Sequence, residues 1–240
     1  MSEMVRRFLR QKFNNLGVVI ALSALALLAA FQLALSGGGG GLEVGTLGVF
    51  ILGAACVSKD ASSGALQMIL CRPIRRSDYL LGRYAGIVVA YAVFLLAALG
   101  LALVFSRALL PLLGGPAQPL ALASLARGAA GSMLTAVGVA APILLLSTFL
   151  PGYGDVLGYI LLTPVLSLPS LAAQILKAPA LDKAGALLRE NLLPSPDWSA
   201  VLAGRNPLGE PTGRWLLAVV AEILLAIVLF NRREFAYGQD

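Results

Sequence analysis

The sequence contains no histidine. That absence excludes Ser-His and Cys-His nucleophilic couples and zinc or haem sites ligated by histidine. Charge is scarce as well: 12% of the 240 residues are charged, about half the usual share of a soluble domain. With 58% hydrophobic residues and a mean hydropathy of +0.85, the chain has too little polar surface to cover a soluble globule. A soluble enzyme and a disordered tail are excluded on these counts. Cysteine is limited to Cys56 and Cys71, too few to close a metal site, and both read as small apolar residues. No Gly-x-x-x-x-Gly-Lys-Ser/Thr segment occurs, so the chain does not itself cradle a triphosphate.

What the sequence does contain is long apolar runs. Leu16 to Leu35 is an uncharged stretch of about 20 residues, the length of a membrane span. Its basic start and the small residues Ala34 and Ser36 also fit a signal peptide. Its apolar core exceeds the usual length of about 7–15 residues, which favours a retained span. Further spans are predicted over Val44–Val57, Asp78–Phe105, Leu120–Phe149, Val156–Ile175 (broken by Pro164 and Pro169) and Trp215–Phe230. The predicted fold is all-α and polytopic, with six transmembrane helices in residues 16–233 and a short tail at 234–240.

Residues 1–15 read as an amphipathic helix lying in the membrane surface. Met4, Val5, Phe8, Leu9 and Phe13 share one face, and Arg6, Arg7, Arg10 and Lys12 face lipid phosphates. Between the fifth and sixth spans, residues 176–213 are Pro-rich. Leu181, Ala184, Leu187, Leu188 and Leu192 suggest a second interfacial helix there, and Trp198 and Trp215 suit an aromatic belt. The net charge of +6 orients the chain. With the N-terminus in the cytosol, eleven Lys and Arg lie inside and six outside, so both termini are expected to be cytosolic. The positive charge therefore reads as topology and not as a nucleic-acid surface.

The span assignments bury two charges, Arg127 and Glu222. Such residues usually face the bundle interior and often pair. They could pair with one another or line the outer half of a path. Arg127 could equally snorkel to the headgroups, and Glu222 could stay neutral or be hydrogen-bonded to a neighbouring helix. Gly131, Ser132, Thr135 and Gly138 mark a close-packing face of the fourth span.

The most informative segment is the polar link between the second and third spans, Val57 to Arg83. A short helix over about 61–70 would present Leu66, Met68, Ile69 and Leu70, and Arg72-Pro73 would stop it. Such a helix is too short to span and too apolar to stand in water. Either it packs on lipid headgroups or it docks on a protein outside the membrane, and its own residues do not choose between these.

The link resembles that of the permease subunits of type-2 ATP-binding-cassette exporters. The residues that carry the resemblance are Asp60, Gly64-Ala65-Leu66, Ile69-Leu70, Arg72-Pro73, Arg75-Arg76 and Leu80-Leu81-Gly82-Arg83. Ser147-Thr148-Phe149-Leu150-Pro151 and the closing Arg232-Arg233-Glu234-Phe235 are similar to the family as well. Two positions depart from its pattern: Ala65 stands where Thr is usual, and Asp60 where Glu is usual. The resemblance implies a dimeric permease in the cell membrane, joined to separately encoded ATPase subunits that bind the ATP and magnesium. It implies no cofactor and no catalysis in this chain itself. The helix at 61–70 would be the coupling helix, with Lys59, Asp60, Ser63, Gly64, Leu66, Gln67, Ile69, Leu70, Arg72, Pro73, Arg75 and Arg76 forming the docking surface and its rim. Expected partners are the ATPase, a second permease chain and membrane lipids, with no nucleic acid. The rival classes are an ion-coupled secondary transporter, which would usually carry more intramembrane carboxylates and repeated halves, an intramembrane enzyme, and a passive membrane anchor.

Overall fold

A computed structural model describes residues 2–35, 45–63, 65–66, 71, 75–109, 121–177, 179–204 and 209–232. The described residues are helical and include no strand. In chain order the helices are α1 (Ser2–Phe13), α2 (Leu16–Leu35), α3 (Gly45–Gly53), α4 (Ser58–Ser62), α5 (Arg76–Val104), α6 (Leu122–Ser147), α7 (Gly154–Leu176), α8 (Pro179–Leu192), α9 (Trp198–Leu202) and α10 (Glu210–Arg232). A π-helical turn at Phe105–Leu109 extends α5.

Five of these helices, α2, α5, α6, α7 and α10, are long and apolar enough to cross a bilayer. Several long apolar helices of this kind are compatible with a membrane protein. The second expected span is represented by α3, nine residues that stop at Gly53 before a turn over 54–57. At 1.5 Å per residue, α3 reaches only about 14 Å. Pro164 and Pro169 do not break α7, which runs through both.

The chain divides into two compact units. The first comprises Met1–Gly53, Leu81–Ala140 and Trp198–Arg205. In it α5 and α6 pack through small and hydroxyl-bearing residues. Tyr84 Oη donates to the Val137 carbonyl at 2.9 Å, and the Tyr91 and Ser132 hydroxyls share a hydrogen bond. Thr135 Oγ1 turns back to the Gly131 carbonyl at 3.0 Å. A Cβ on Gly131 would stand 3.1 Å from that of Trp198, so this glycine seats α9. Of the expected face Gly131, Ser132, Thr135 and Gly138, Gly131 packs on α9 and Ser132 bonds to α5, so these two serve packing between helices. Ala30, Leu33, Ala102 and Leu125 form a buried cluster, with Leu99, Leu101 and Phe105 packed against it.

The second unit comprises Ala54–Leu80, Ala141–Asp197 and Asn206–Asp240. Here α7 ends at Lys177, whose left-handed backbone (φ +50°) directs its N–H to the Ala173 carbonyl. The chain then returns along α7 as α8. A Cβ on Gly185 would stand 2.6 Å from Ser170 Oγ and 2.9 Å from the Ser170 backbone nitrogen, so only glycine permits this approach. Arg214 near the start of α10 bridges Glu190 of α8 and Glu210 of its own helix. Trp198 and Trp215 are both buried in their respective units, where they serve packing and not an outward aromatic belt.

A left-handed residue with a Cβ costs roughly 1–2 kcal/mol, and glycine is the usual occupant of such a helix end. Lys177→Gly is therefore expected to stabilise the protein by about 1 kcal/mol. The checking measurement is a rise in the midpoint of thermal unfolding in detergent.

Candidate functional site

One end of the second unit gathers the link together with the end of α6, the start of α7 and the end of α10. The gathering begins at the turn over 54–57, where Ala55 has φ +53°. A chain that leaves helical geometry here exposes N–H groups without helical partners. The turn is buried, and side chains distant in sequence satisfy those donors. The Ala55 N–H donates to Asp155 Oδ2 at 2.8 Å, across 100 residues. The Val57 and Ser58 N–H groups both donate to Ser147 Oγ, at 3.0 and 3.3 Å. Ser58 Oγ in turn donates to the Gly152 carbonyl at 2.7 Å. Asp155 is fully buried, and its Oδ1 accepts from the Val156 N–H at 2.8 Å. Ser147 and Asp155 together act as a cap supplied in trans, closing the start of α4 from the α6–α7 corner.

The link is held a second time at its far end. Tyr79 Oη donates to Asp60 Oδ2 at 2.8 Å. The Tyr79 ring stacks on Phe230, with centroids 5.8 Å apart. Arg76 Nη1 donates to the Asn231 carbonyl at 3.1 Å. A cation at the carbonyl end of α10 also complements that helix's dipole. Link and three long helices are thus tied by named bonds at one end of a single unit.

The docking residues expected from the sequence fall into three groups. Lys59, Ser63 and Arg75 are exposed. Asp60 and Leu66 are buried, at 3% and 1% exposure, and Arg76 turns to α10. Asp60 therefore faces inward, not to an outer rim, because the Tyr79 hydroxyl supplies the hydrogen bond that water would otherwise make. Leu66 is covered within the chain and is not presented outward. Gly64, Gln67, Ile69, Leu70, Arg72 and Pro73 lie outside the described residues, as do much of the expected 61–70 helix and the tail at 234–240.

The N-terminal residues are built differently from the expected single apolar face. Phe8 is fully buried, in the first unit. A Cβ on Gly82 would lie 2.6 Å from Met4 Cβ, and one on Gly86 would lie 2.7 Å from Phe8 Cδ1. Gly82-x-x-x-Gly86 is thus a notch on α5 that accepts Met4 and Phe8 from α1, small residues allowing close helix approach. Arg83 is buried beside it, its guanidinium carbon 5.4 Å from the Phe8 ring centroid and its Nη1 donating to Gln11 Oε1 at 2.8 Å. Lys12 Nζ stands 5.7 Å from the same ring. Such cation–ring contacts are worth about 0.5–2 kcal/mol, more as they are desolvated. Arg6, Arg7, Arg10 and Phe13 remain exposed. The apolar stripe read from the sequence therefore splits, with Met4 and Phe8 packing on protein and Phe13 facing outward.

Arg127 is exposed, and its Nε donates to the Ala123 carbonyl one turn back at 3.2 Å. It belongs to the first unit, whereas Glu222, half-buried in α10, belongs to the second. Sequence reasoning passed over Ser147 and Asp155 as anchors. Ser147 opens the family-like segment Ser147–Pro151, which carries no sign of what its hydroxyl holds, and Asp155 is signalled only as a carboxyl just beyond the Pro151-Gly152 turn.

Compared with protein-family models and with curated proteins, the sequence matches none.

Proposed function

We propose that this chain is the permease subunit of an ATP-binding-cassette transporter of the type-2 exporter kind. In this reading six spans, α3 contributing to the second, sit in the plasma or inner membrane with both termini in the cytosol. A separate ATPase binds the ATP and magnesium and docks on the link, and a second copy of the chain completes the pathway. Arg6, Arg7 and Arg10 of α1 face lipid phosphates.

The observation that supports the reading is the anchoring of the link. The segment whose residues resemble the family is bonded through Ala55, Val57 and Ser58 to the α6–α7 corner, and through Tyr79 and Arg76 to the end of α10. Through these contacts a push on α4 or on the start of α5 is passed to the α6–α7 corner and to the end of α10. Transport then requires that the ATP-bound partner bind one conformation of this end better than another. Among the described residues of the link, the exposed Lys59, Ser62, Ser63 and Arg75 are available as docking contacts.

The test is reversal of two exposed charges. Lys59→Glu combined with Arg75→Glu is expected to lower co-purification of the ATPase by at least about tenfold. The permease should remain in the membrane at its usual level. Co-purification at the unaltered level would contradict the docking assignment.

A further inference from the structure

We propose that the turn over 54–57 is a latch with a closed and an open state, and that Asp155 and Ser147 hold it closed. The inference goes beyond the transport reading and does not depend on it. In the closed state Ala55 occupies the left-handed region, which a residue with a Cβ adopts only when its surroundings impose it. The groups that impose it include two specific side chains. Asp155 Oδ2 takes the Ala55 N–H, and Ser147 Oγ takes those of Val57 and Ser58. Ser58 Oγ returns a bond to the Gly152 carbonyl. All come from one corner of the chain, so they can release together.

The open state has a ready solvent. Lys59, Pro151 and Gly152, which flank the turn and its partner corner, are exposed. The charged Lys59 beside the turn marks where the freed N–H groups would meet water, and Ala55 can return to ordinary backbone geometry. Closed, the latch transmits a displacement of α4 to the α6–α7 corner. Open, it frees α4 from that corner while Asp60 still ties it to Tyr79 of α5. The turn also carries its own reporter, because Cys56 is 2% exposed and in no disulfide. A thiol so covered reacts only when its surroundings open.

The experiment measures the rate at which N-ethylmaleimide labels Cys56 in the full chain carrying Cys71→Ser, in detergent micelles without denaturant. Slow, complete labelling is expected. Asp155→Ala should accelerate it at least about tenfold. Ala55→Gly, which folds without strain, should slow it about threefold by relieving the left-handed backbone of the closed state. Tryptophan fluorescence of Trp198 and Trp215 monitors global unfolding in parallel. Labelling that appears only when that signal changes overturns the latch, as does an Ala55→Gly rate equal to or above that of the parent.

Discussion

Asp155→Ala is expected to destabilise the protein by about 1.5–3 kcal/mol, the range for hydrogen bonds to charged groups and for stranded buried donors. The substitution removes both acceptors at once, leaving the Ala55 N–H without its 2.8 Å partner and the start of α7 without the contact at Val156. Asp155→Asn keeps a carbonyl oxygen that can accept the Ala55 N–H but turns its NH2 toward the Val156 N–H, so it should cost less than Asp155→Ala while still destabilising. Thermal unfolding in detergent gives both numbers. Equal losses for Ala and Asn would contradict acceptance of the Ala55 N–H as the main contribution of Asp155. Ser147→Ala should fall between them, since its hydroxyl takes two donors but is neutral.

Gly86→Leu has the second large effect. Its Cβ would meet the Phe8 ring at 2.7 Å, and the ring has little room to retreat beneath Arg83 and Lys12. Overpacking of this kind costs typically about 1–3 kcal/mol. Here the cheaper outcome is expulsion of α1 from the notch. The expected result is faster tryptic cleavage at Arg6, Arg7 and Arg10 together with a lower unfolding midpoint. Gly100→Leu on the same helix is the control, because nothing lies within 4 Å of a Cβ there. Unchanged cleavage in Gly86→Leu would contradict the docking of α1 on α5.

These two sites show what a sequence of this kind discloses. The long helices were legible: α2 coincides with the predicted Leu16–Leu35, and the other long helices lie within a few residues of expectation except at the start of α10. Hydropathy runs report how long a segment can stay out of water, which is what a span requires. They do not report where an apolar run turns. Val44–Val57 reads as continuous because Ala54, Ala55, Cys56 and Val57 include no breaker. The helix stops at Gly53 because acceptors 90 to 100 residues away take the following N–H groups. Periodicity likewise recorded that Met4 and Phe8 are apolar but not what covers them. The answer stood in the sequence as Gly82-x-x-x-Gly86, a small-residue spacing that can seat a helix. The same logic reassigns Leu66 and Asp60: an apolar residue and a carboxylate in a polar link read as outward-facing until their intramolecular partners are known.

If a separate ATPase docks on the exposed part of the link, as proposed, a photo-crosslinking amino acid placed at Ser63, exposed and beside Lys59, will capture it. The cells are irradiated, and mass spectrometry identifies what is joined to the chain. The expected result is a dominant adduct with a soluble ATP-binding-cassette ATPase, lost when Lys59→Glu and Arg75→Glu are introduced. Adducts with lipid alone, or with a protein that binds no nucleotide, would contradict it.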